Sequence, residues 1–363
     1  MTSLVFVTQT VDEADPVLAV VPGLIAALAA RLEHVTVIAN SVARPLPDLP
    51  SNVTVASLGK EVGASRLARG LRYQRLLVRI ARRGRADVLF AHMCPEYVNL
   101  AVPVAKAFRF PTMLWFAHPA RSPALTLADK AADAILTSLP GAYPLPSSNV
   151  RVIGQATDTR SLKVSPWRGP HRPLRVVAIG RTSPAKGFDI VIRAVAACVD
   201  SGHPVDARII GPSLTTEERR HREALVGLVS SLGLDSRIRI EPSMPPDEIR
   251  RAIGRADVLV NAMVAGSGDK VVFEAGSLGR PVIASNPGFA ELLRDAPLDL
   301  TFPEGDADAL ADRLRSIGST QPSAIRETAR TLRRRIEAEH SLDHWADAVV
   351  RLGEALAARG RHG

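Results

Sequence analysis

The chain is poor in cysteine, aromatic residues and lysine, and it has no long apolar run. Its two cysteines among 363 residues, Cys94 and Cys198, fall in different predicted halves, which argues against a disulfide framework and favours a reducing compartment. Aromatic residues make up only 4%, and no nucleic-acid-binding module is recognisable, so we expect no nucleic-acid partner. The longest apolar stretch, residues 17–30, is shorter than a bilayer span and contains Pro22 and Gly23, so we expect no membrane-spanning helix.

The first residues also lack the basic segment of a secretory signal. Acidic side chains at positions 12, 13 and 15 follow the first apolar run directly, which is not typical of a signal peptide. Together with the low cysteine content, this predicts a cytoplasmic protein. A peripheral position on the inner face of the membrane stays open as an alternative.

Lysine is scarce although the chain is basic. Only six of the 46 basic residues are lysine, while the formal net charge is +9 and the isoelectric point is about 10.2. A skew this strong indicates coding bias rather than adaptation to an anionic partner. Against this background Lys186 and Lys270 suggest sites where a compact ammonium is needed at a phosphate, with chance placement as the alternative.

Strand-forming and helical segments alternate along the whole chain, which predicts parallel sheets built from βαβ units. The predicted strands of the first half are Leu4–Thr8, Val35–Asn40, Val53–Leu58, Val88–His92, Thr112–His118, Ala134–Ser138 and Val150–Ile153. Those of the second half are Arg175–Ile179, Ala207–Ile210, Ile238–Ile240, Val258–Asn261 and Val282–Ala284.

The boundary between the halves is marked by composition. Pro166, Gly169, Pro170 and Pro173 are mixed with arginines, as in a linker. We therefore predict an α/β chain of two Rossmann-like, doubly wound domains, 1–165 and 166–341, followed by a last helix at 342–358.

The segment Val176–Asp189, VVAIGRTSPAKGFD, predicts an anion site. A strand ends in Gly180, and Arg181 and Lys186 follow before a helix begins near Gly187. Backbone N–H groups at a helix start favour an anion, and two cations at the same place suit a diphosphate. The spacing matches neither the dinucleotide fingerprint G-x-G-x-x-G nor the P-loop, so neither a dehydrogenase nor a P-loop NTPase is favoured.

A second segment, Gly266–Leu293, predicts the other part of this site. Small residues lead into a short helix from Lys270 that carries Glu274, and Gly279 ends it before the next strand. Ligands of open α/β sheets bind beyond the carboxyl ends of the strands. A carboxylate in that position can accept two hydrogen bonds from ribose hydroxyls.

Together these two segments resemble the retaining GT-B glycosyltransferases of the family-4 group, also called glycosyl transferases group 1. The resemblance implies that Arg181 and Lys186 clamp the donor diphosphate and that Glu274, the second glutamate of a Glu-x7-Glu motif, binds the nucleotide ribose. It is specific over Val176–Leu293 and looser over the rest of the chain.

One position departs from the family pattern. Gly266 stands where the first glutamate of the motif is expected, eight residues before Glu274. The family's contact to the donor-sugar hydroxyls therefore lacks its usual residue. Asp269 and the backbone amides near Gly268 are the candidates to replace it.

The resemblance and the strand ends suggest further site residues. His118, at the end of a predicted strand, is implied to contact the hydroxymethyl group of the donor sugar, with a structural histidine as the alternative. His92, at the end of the preceding predicted strand, is assigned to the acceptor side. Gly180 and Lys270 complete the donor side, and Met244 lies where the nucleobase is expected.

The first loop, Thr8–Pro16, carries acids where the resembled family usually has glycines. Because Asp12 and Asp15 would repel a diphosphate, we assign them to the acceptor side. Asp12 could accept a hydrogen bond from the incoming hydroxyl. Capping of the following helix is the alternative for Asp15.

A basic helix is predicted over residues 65–83. Its arginines recur at three- and four-residue steps, at positions 66, 69, 72, 75, 79, 82 and 83. Leu67, Leu71, Val78 and Ala81 are predicted to form the opposite, apolar face. Such a helix could contact anionic lipid headgroups or an anionic acceptor, or could be a solvated arginine face.

The resemblance implies a GT-B fold, two Rossmann-like domains facing a central cleft, with the last helix packing back on the first domain. It implies transfer of a sugar, with retention, from a UDP- or GDP-sugar to a hydroxyl of a glycan, a lipid-linked acceptor or a small molecule. No nucleophile constellation or metal-ligand cluster is evident, so we expect neither a bound cofactor nor a metal. A sugar-nucleotide epimerase and a basic nucleic-acid-binding protein are the alternatives.

Overall fold

The computed structural model describes residues 3–15, 17–263 and 268–360. The chain divides into two compact units, Met1–Asp158 with Glu339–Gly363, and Thr159–Ala338. Each unit is built around one sheet in which every recorded strand pairing is parallel. The predicted architecture of two doubly wound α/β domains is therefore confirmed.

The sheet of the first unit has seven strands in the order β3-β2-β1-β4-β5-β6-β7. Its strands are β1 Ser3–Val11, β2 His34–Val42, β3 Val53–Ser57, β4 Val88–His92, β5 Thr112–Trp115, β6 Ala134–Thr137 and β7 Val150–Val152. The inner strands are nearly continuous apolar runs because helices cover both faces of a parallel sheet. The helices are α1 Val21–Ala29, α2 Arg66–Arg82, α3 Pro95–Phe108, α4 Pro123–Ala131 and α12 Leu342–Gly360.

The last helix, α12, packs on the first unit. Trp345 is fully buried, and its ring meets Trp115 edge-on at 5.9 Å between centroids. Arg31 adds ion pairs to Asp343 at 3.0 Å and to Asp347 at 2.5 Å. A segment distant in sequence thus closes one face of the first sheet.

The second unit has a five-stranded sheet in the order β10-β9-β8-β11-β12. Its strands are β8 Leu174–Ile179, β9 Val205–Ile210, β10 Ile238–Glu241, β11 Val258–Asn261 and β12 Val282–Ala284. Its helices are α5 Phe188–Asp200, α6 Thr216–Ser231, α7 Pro246–Arg255, α8 Lys270–Ser277, α9 Ala290–Leu293, α10 Ala307–Ser319 and α11 Pro322–Glu339. From β8 the sheet grows through β9 and β10 on one side and through β11 and β12 on the other. Open α/β sheets bind ligands at such a reversal of strand order.

All twelve predicted strands are present, and two of them differ by three residues from the predicted carboxyl end. The strand predicted over Leu4–Thr8 runs over Ser3–Val11, so the first loop begins at Asp12 and not at Thr8. The strand predicted over Thr112–His118 ends at Trp115, although the Phe116 N–H still donates to the Leu136 carbonyl at 2.9 Å. His118 therefore lies in the loop after β5, and Pro119 follows it there.

The predicted apolar face of α2 is wrong at two positions. Leu67 is 75% exposed and Leu71 is 50% exposed, whereas Tyr73, Leu77 and Ile80 are buried. The helix turns its Tyr73 face toward α3, where the Tyr73 hydroxyl donates to the Tyr97 carbonyl at 2.9 Å. The spacing of Leu67 and Leu71 predicted the wrong buried face, because the contact of Tyr73 with α3 determines how the helix packs.

A buried carboxylate attaches the linker to the second sheet. Asp257, fully buried immediately before β11, accepts hydrogen bonds from the Trp167 indole at 2.8 Å and from the Arg175 backbone N–H at 2.8 Å. It also accepts from the His171 backbone N–H at 3.0 Å and contacts the His171 ring at 2.8 Å. One side chain thus satisfies several donors of the segment that leads into β8.

We predict that Asp257→Ala destabilises the second unit. The substitution leaves buried N–H groups without an acceptor, a loss that typically costs ~2–4 kcal/mol when several bonds to one charged group disappear. The midpoint of thermal unfolding should fall accordingly. The matched control is Asp200→Ala, an exposed aspartate at the end of α5, which should change the free energy by less than ~0.5 kcal/mol. Equal midpoints for the two variants would contradict the role given to Asp257.

Candidate functional site

The turn after β8 depends on glycines that allow backbones and one side chain to approach closely. A Cβ on Gly180 would lie 2.9 Å from Lys186 Cε, so the lysine side chain passes over this glycine. A Cβ on Gly211 would lie 1.8 Å from the Gly180 carbonyl oxygen, and one on Gly187 would lie 2.2 Å from the Ala262 carbonyl oxygen. Gly187 also has a φ of 59°, which disfavours other residues. These contacts bring the ends of β8, β9 and β11 together under Lys186.

Lys186 is held by Asp269. Its Nζ lies 2.5 Å from Asp269 Oδ2, and both side chains are largely buried, with 18% and 15% exposed. The Asn261 amide donates to the same oxygen at 3.0 Å, and Lys186 Nζ also lies 3.6 Å from Met263 Sδ. Both hydrogen bonds use Oδ2, so Asp269 Oδ1 has no protein partner within the described ranges. Asp269 therefore orients Lys186 and keeps one oxygen available to a ligand.

The side chain of Arg181 is more exposed than that of Lys186 and is held less firmly. Its guanidinium is 56% exposed and lies 3.4 Å from Glu218 Oε1, a distance and exposure at which an ion pair adds little stability. Glu218 is itself fixed, since its Oε2 accepts from the Leu214 and Thr215 backbone N–H groups at 2.6 and 3.3 Å. Thr215 completes a capping box at the start of α6. Arg181 can thus leave Glu218 for an anion without disturbing that helix.

Glu274 lies on α8, one turn after Lys270, and is mostly enclosed. Burial raises the pKa of the Glu274 carboxyl above its ordinary value, while the charges of Lys270 and Arg250 oppose the shift and Asp269 adds to it. Glu274, Asp269 and Lys270 thus influence one another electrostatically, and the predicted ribose contact of Glu274 stays a prediction. A carboxylate partly desolvated in this way is costly to keep charged, which is typical of functional sites.

The remaining donor-side predictions lie around the same sheet edge. Gly268 is half-buried immediately before Asp269, and Lys270 is exposed at the first turn of α8. Met244 follows β10, and its Sδ lies 3.9 Å from an Arg208 nitrogen that is also held by Glu241. The predicted roles of these residues toward a donor stay predictions. Gly266, the position of the missing glutamate, lies outside the described residues.

His118 and His92 have opposite surroundings in the first unit. His118 is exposed, and its Nδ1 accepts from the Ala120 backbone N–H at 3.0 Å, which leaves Nε2 to donate when the ring is neutral. His92 is buried, stacked on Phe6 at 5.8 Å with Thr8 Oγ1 at 3.4 Å from its Nδ1. The geometry suits a ligand role at His118, whereas His92 is packed in the core.

Both acids of the first loop bind their own backbone. Asp12 accepts from the Ala14 N–H at 2.8 Å. Asp15 accepts from the Val17 and Leu18 N–H groups at 2.9 and 2.7 Å, in the turn before α1. Asp15 therefore holds the turn before α1 and does not cap the helix, because the N-cap of α1 is Val20, which has no side-chain hydrogen bond. The acceptor-side roles of both acids stay predictions.

Several residues that support the candidate site were not identified from the sequence. Glu218, Asn261 and Gly211 support Arg181, Asp269 and Gly180 respectively, from elements distant in sequence. The Thr215-x-x-Glu218 spacing was the one available signal, as a capping-box pattern.

The described parts of the chain contain neither a metal-ligand cluster nor a helix that could span a membrane. Within the described parts of the chain, no group of three or more His, Cys, Asp and Glu side chains could hold a metal ion. No helix in those parts is both long enough and apolar enough to cross a bilayer.

We predict that Glu274→Gln stabilises the protein near neutral pH. Because the folded-state pKa is raised, folding favours the protonated carboxyl; this contribution is complete below the unfolded-state pKa and is lost as pH rises through the folded value. A neutral glutamine avoids the cost of burying a charged carboxylate. The unfolding midpoint of the Glu274→Gln variant should therefore exceed that of the parent at about pH 7.5, and the difference should shrink toward about pH 4.5.

Glu248→Gln, at an exposed glutamate on α7, is the control and should shift the midpoint little at either pH. A Glu274→Gln variant that is less stable than the parent at neutral pH would contradict the inferred burial cost.

Comparison with known proteins relates this site to a family. Residues 173–319, which include both motif segments, match the family model described as glycosyl transferases group 1. The D-inositol 3-phosphate glycosyltransferase of Corynebacterium glutamicum is 30% identical over 181 residues, which is 47% of this chain and 42% of that protein. The chain spans less than half the length of the first curated relatives that it matches, 48% and 42%.

Two solved structures follow almost the entire chain. Anabaena HepE in complex with UDP matches with a TM-score of 0.72 at 18% identity, over 98% of this chain and 100% of that one. A glycosyltransferase from Rickettsia africae matches with a TM-score of 0.74 at 12% identity, over 98% of each chain. At such identities the likeness concerns the fold alone, which is GT-B. Residues 173–319 are therefore similar to the glycosyl transferases group 1 family, and the fold of the chain is GT-B.

Proposed function

We propose that this protein transfers a sugar from a nucleotide-sugar donor to an acceptor hydroxyl with retention of configuration. The acceptor oxygen forms a bond to the anomeric carbon on the face from which the nucleoside diphosphate departs. The departing phosphate oxygen takes the acceptor proton. Retention and this front-face course are proposed from the motif resemblance.

The main support for this proposal is that two cations lie at the carboxyl end of β8. Lys186 lies over Gly180 and Arg181 points largely into solvent, so both can reach a diphosphate at this edge. Negative charge develops on the leaving diphosphate during transfer. Preorganised cations that neutralise it stabilise the transition state more than the ground state.

Asp269 is proposed to prepare Lys186 for this task. The 2.5 Å ion pair fixes the ammonium before the donor arrives, which reduces the reorganisation needed during reaction. Asp269 Oδ1, which has no partner among the residues that the structure describes, is available to a hydroxyl of the donor sugar, in place of the motif glutamate that Gly266 replaces. Glu274 is proposed to bind the ribose, and His118 to donate from Nε2 to the sugar.

The donor is proposed to be a UDP- or GDP-sugar. Anabaena HepE was crystallised with UDP and with UDP-glucose, which supports UDP as the first donor to test. The acceptor is proposed to be a glycan, a lipid-linked saccharide or a small polyol. The epimerase alternative has no support among the comparisons.

We also propose a peripheral contact between α2 and anionic membranes. Exposed arginines lie beside exposed apolar side chains, with Val62 62%, Leu67 75% and Leu71 50% exposed. No acidic residue occurs within Arg66–Arg82. Basic side chains attract anionic headgroups, and neighbouring leucines can enter the interface.

Lys186→Ala should abolish most transfer while the fold persists. Loss of one charge-stabilising contact to a developing anion typically lowers the rate ~10²–10³-fold. The measurement is release of UDP or GDP from a panel of nucleotide sugars, together with thermal-shift titration. A ligand at ~100 times its dissociation constant adds ~2.7 kcal/mol to the free energy of unfolding. The nucleotide that binds more tightly, UDP or GDP, therefore raises the unfolding midpoint more. The control is Lys163→Ala, an exposed lysine of the same unit. Parent-like turnover in Lys186→Ala would refute the diphosphate clamp.

Binding to vesicles tests the membrane contact. The parent should bind vesicles containing acidic lipid and dissociate as salt rises, because each surface arginine contributes ~1 kcal/mol and is screened over ~8–10 Å. Changing Arg75, Arg79 and Arg82 to Gln should release the protein without altering UDP binding. The matched control changes the same number of exposed arginines, Arg219, Arg220 and Arg239, in the other unit. No binding at low salt would make α2 a solvated face.

A further inference from the structure

The first unit contains a polar pocket of about 490 Å³ that the proposed donor site does not use. It lies at the carboxyl ends of β1 and β2, beside the first turns of α2 and α3. Its lining includes Gln9, Asn40, Lys60, Arg66, Arg69 and Glu96. We call it the basic pocket. Ligands of doubly wound sheets bind at this edge.

The bottom of the basic pocket is a fixed chain of polar groups. The buried Tyr97 hydroxyl donates to Asn40 Oδ1, and the Asn40 amide donates to Gln9 Oε1 at 2.8 Å. Because each group is oriented by the next, the pocket presents a preorganised polar surface. Such a surface suits the hydroxyl groups of a sugar or polyol.

The charges of the basic pocket are unbalanced. Lys60, Arg66 and Arg69 contribute three cations, and Glu96 is the one acid among the lining residues. None of the three cations forms an ion pair within the described ranges. Elsewhere arginines do pair, as Arg208 does with Glu241 at 2.6 Å.

Arg69 carries the most specific signal. Its Nε is shielded from solvent and has no hydrogen-bond partner among the described residues. A guanidinium N–H is a strong donor, and leaving it buried and unpaired is costly. An acceptor that arrives with a ligand would satisfy it. Arg66 lies one turn earlier on the same helix, so both can face one anion.

We propose that the basic pocket binds an oxyanion, a phosphate or carboxylate, carried by the acceptor of the sugar transfer. This rests on the proposed function, in which the first unit receives the acceptor. Arg69 and Arg66 donate to the oxyanion and Lys60 adds charge. Glu96 and the Asn40–Gln9 pair bind hydroxyls of the same molecule. The enzyme therefore takes an acidic acceptor rather than a neutral one.

The proposal is tested by titrating the full-length protein with inorganic phosphate, followed by calorimetry or phosphorus NMR. Arg69→Gln and Lys60→Gln should each weaken binding about tenfold to a hundredfold, as expected when one charged hydrogen-bond donor is lost. Arg79→Gln is the matched control, because it removes the same charge from an exposed position of the same helix. It should leave binding unchanged. Unfolding midpoints verify that each variant is folded, and Arg66→Gln replaces Arg69→Gln if the latter unfolds.

Lys186→Ala separates the basic pocket from the donor site. If phosphate binding is lost in Lys186→Ala and kept in Arg69→Gln, phosphate binds only at the donor side and the proposal is overturned. If Arg69→Gln and Arg79→Gln weaken binding equally, the effect is general surface charge, which also overturns it. UDP and GDP binding are measured in parallel. Failure of both nucleotides to bind, with phosphate still bound through Arg69, would refute the proposed function and leave the basic pocket intact.

Competition identifies the source of the oxyanion. Glucose 6-phosphate and glucuronate present a phosphate and a carboxylate on the same sugar, and glucose presents neither. We expect at least one of the two anions to displace phosphate at concentrations where glucose does not. The stronger competitor shows whether the pocket prefers a phosphate or a carboxylate. Equal competition by glucose would show that the pocket recognises hydroxyls alone and would overturn the proposal.

Discussion

Both units of this protein depend on one constraint, that neighbouring parallel strands cannot be joined by a tight turn. Each connection must cross over the sheet, usually through a helix, and such crossovers are right-handed. The helices then cover both faces, so the loops at the carboxyl ends of the strands are the part left for chemistry. The proposed donor-site residues after β8 and on α8, and the basic pocket beside β1 and β2, follow from the same constraint, applied once in each unit.

This constraint also explains what the sequence could predict. Hydrophobic periodicity located every strand, since a buried parallel strand leaves a continuous apolar run. The motif pair predicted a donor site at Lys186 and Glu274. The Lys186–Asp269 ion pair was not foreseen as such, because it joins two segments whose approach is set by Gly187 against Ala262. The exposed Leu67 was also misassigned, since the Tyr73–Tyr97 contact that orients α2 joins two helices and leaves no periodic signal.

Charge has two distinct uses in this arginine-rich chain. Arg31 and Arg208 pair with carboxylates and stabilise local packing. Arg69 and Arg181 instead keep donors that the protein does not fully use. A basic composition therefore carries little functional information by itself. The informative property is whether a buried or oriented cation has a partner, which depends on tertiary structure.

The glycines beneath Lys186 have a consequence for protein engineering. At Gly180 the obstructing atoms belong to a flexible side chain, but at Gly187 and Gly211 they are carbonyl oxygens of neighbouring strands. Backbone atoms cannot move aside without shifting the sheet, so neither position can be rescued by repacking. Mutant libraries aimed at donor preference should therefore keep Gly187 and Gly211 constant and vary side chains such as Met244, where sequence diversity costs no change in the scaffold.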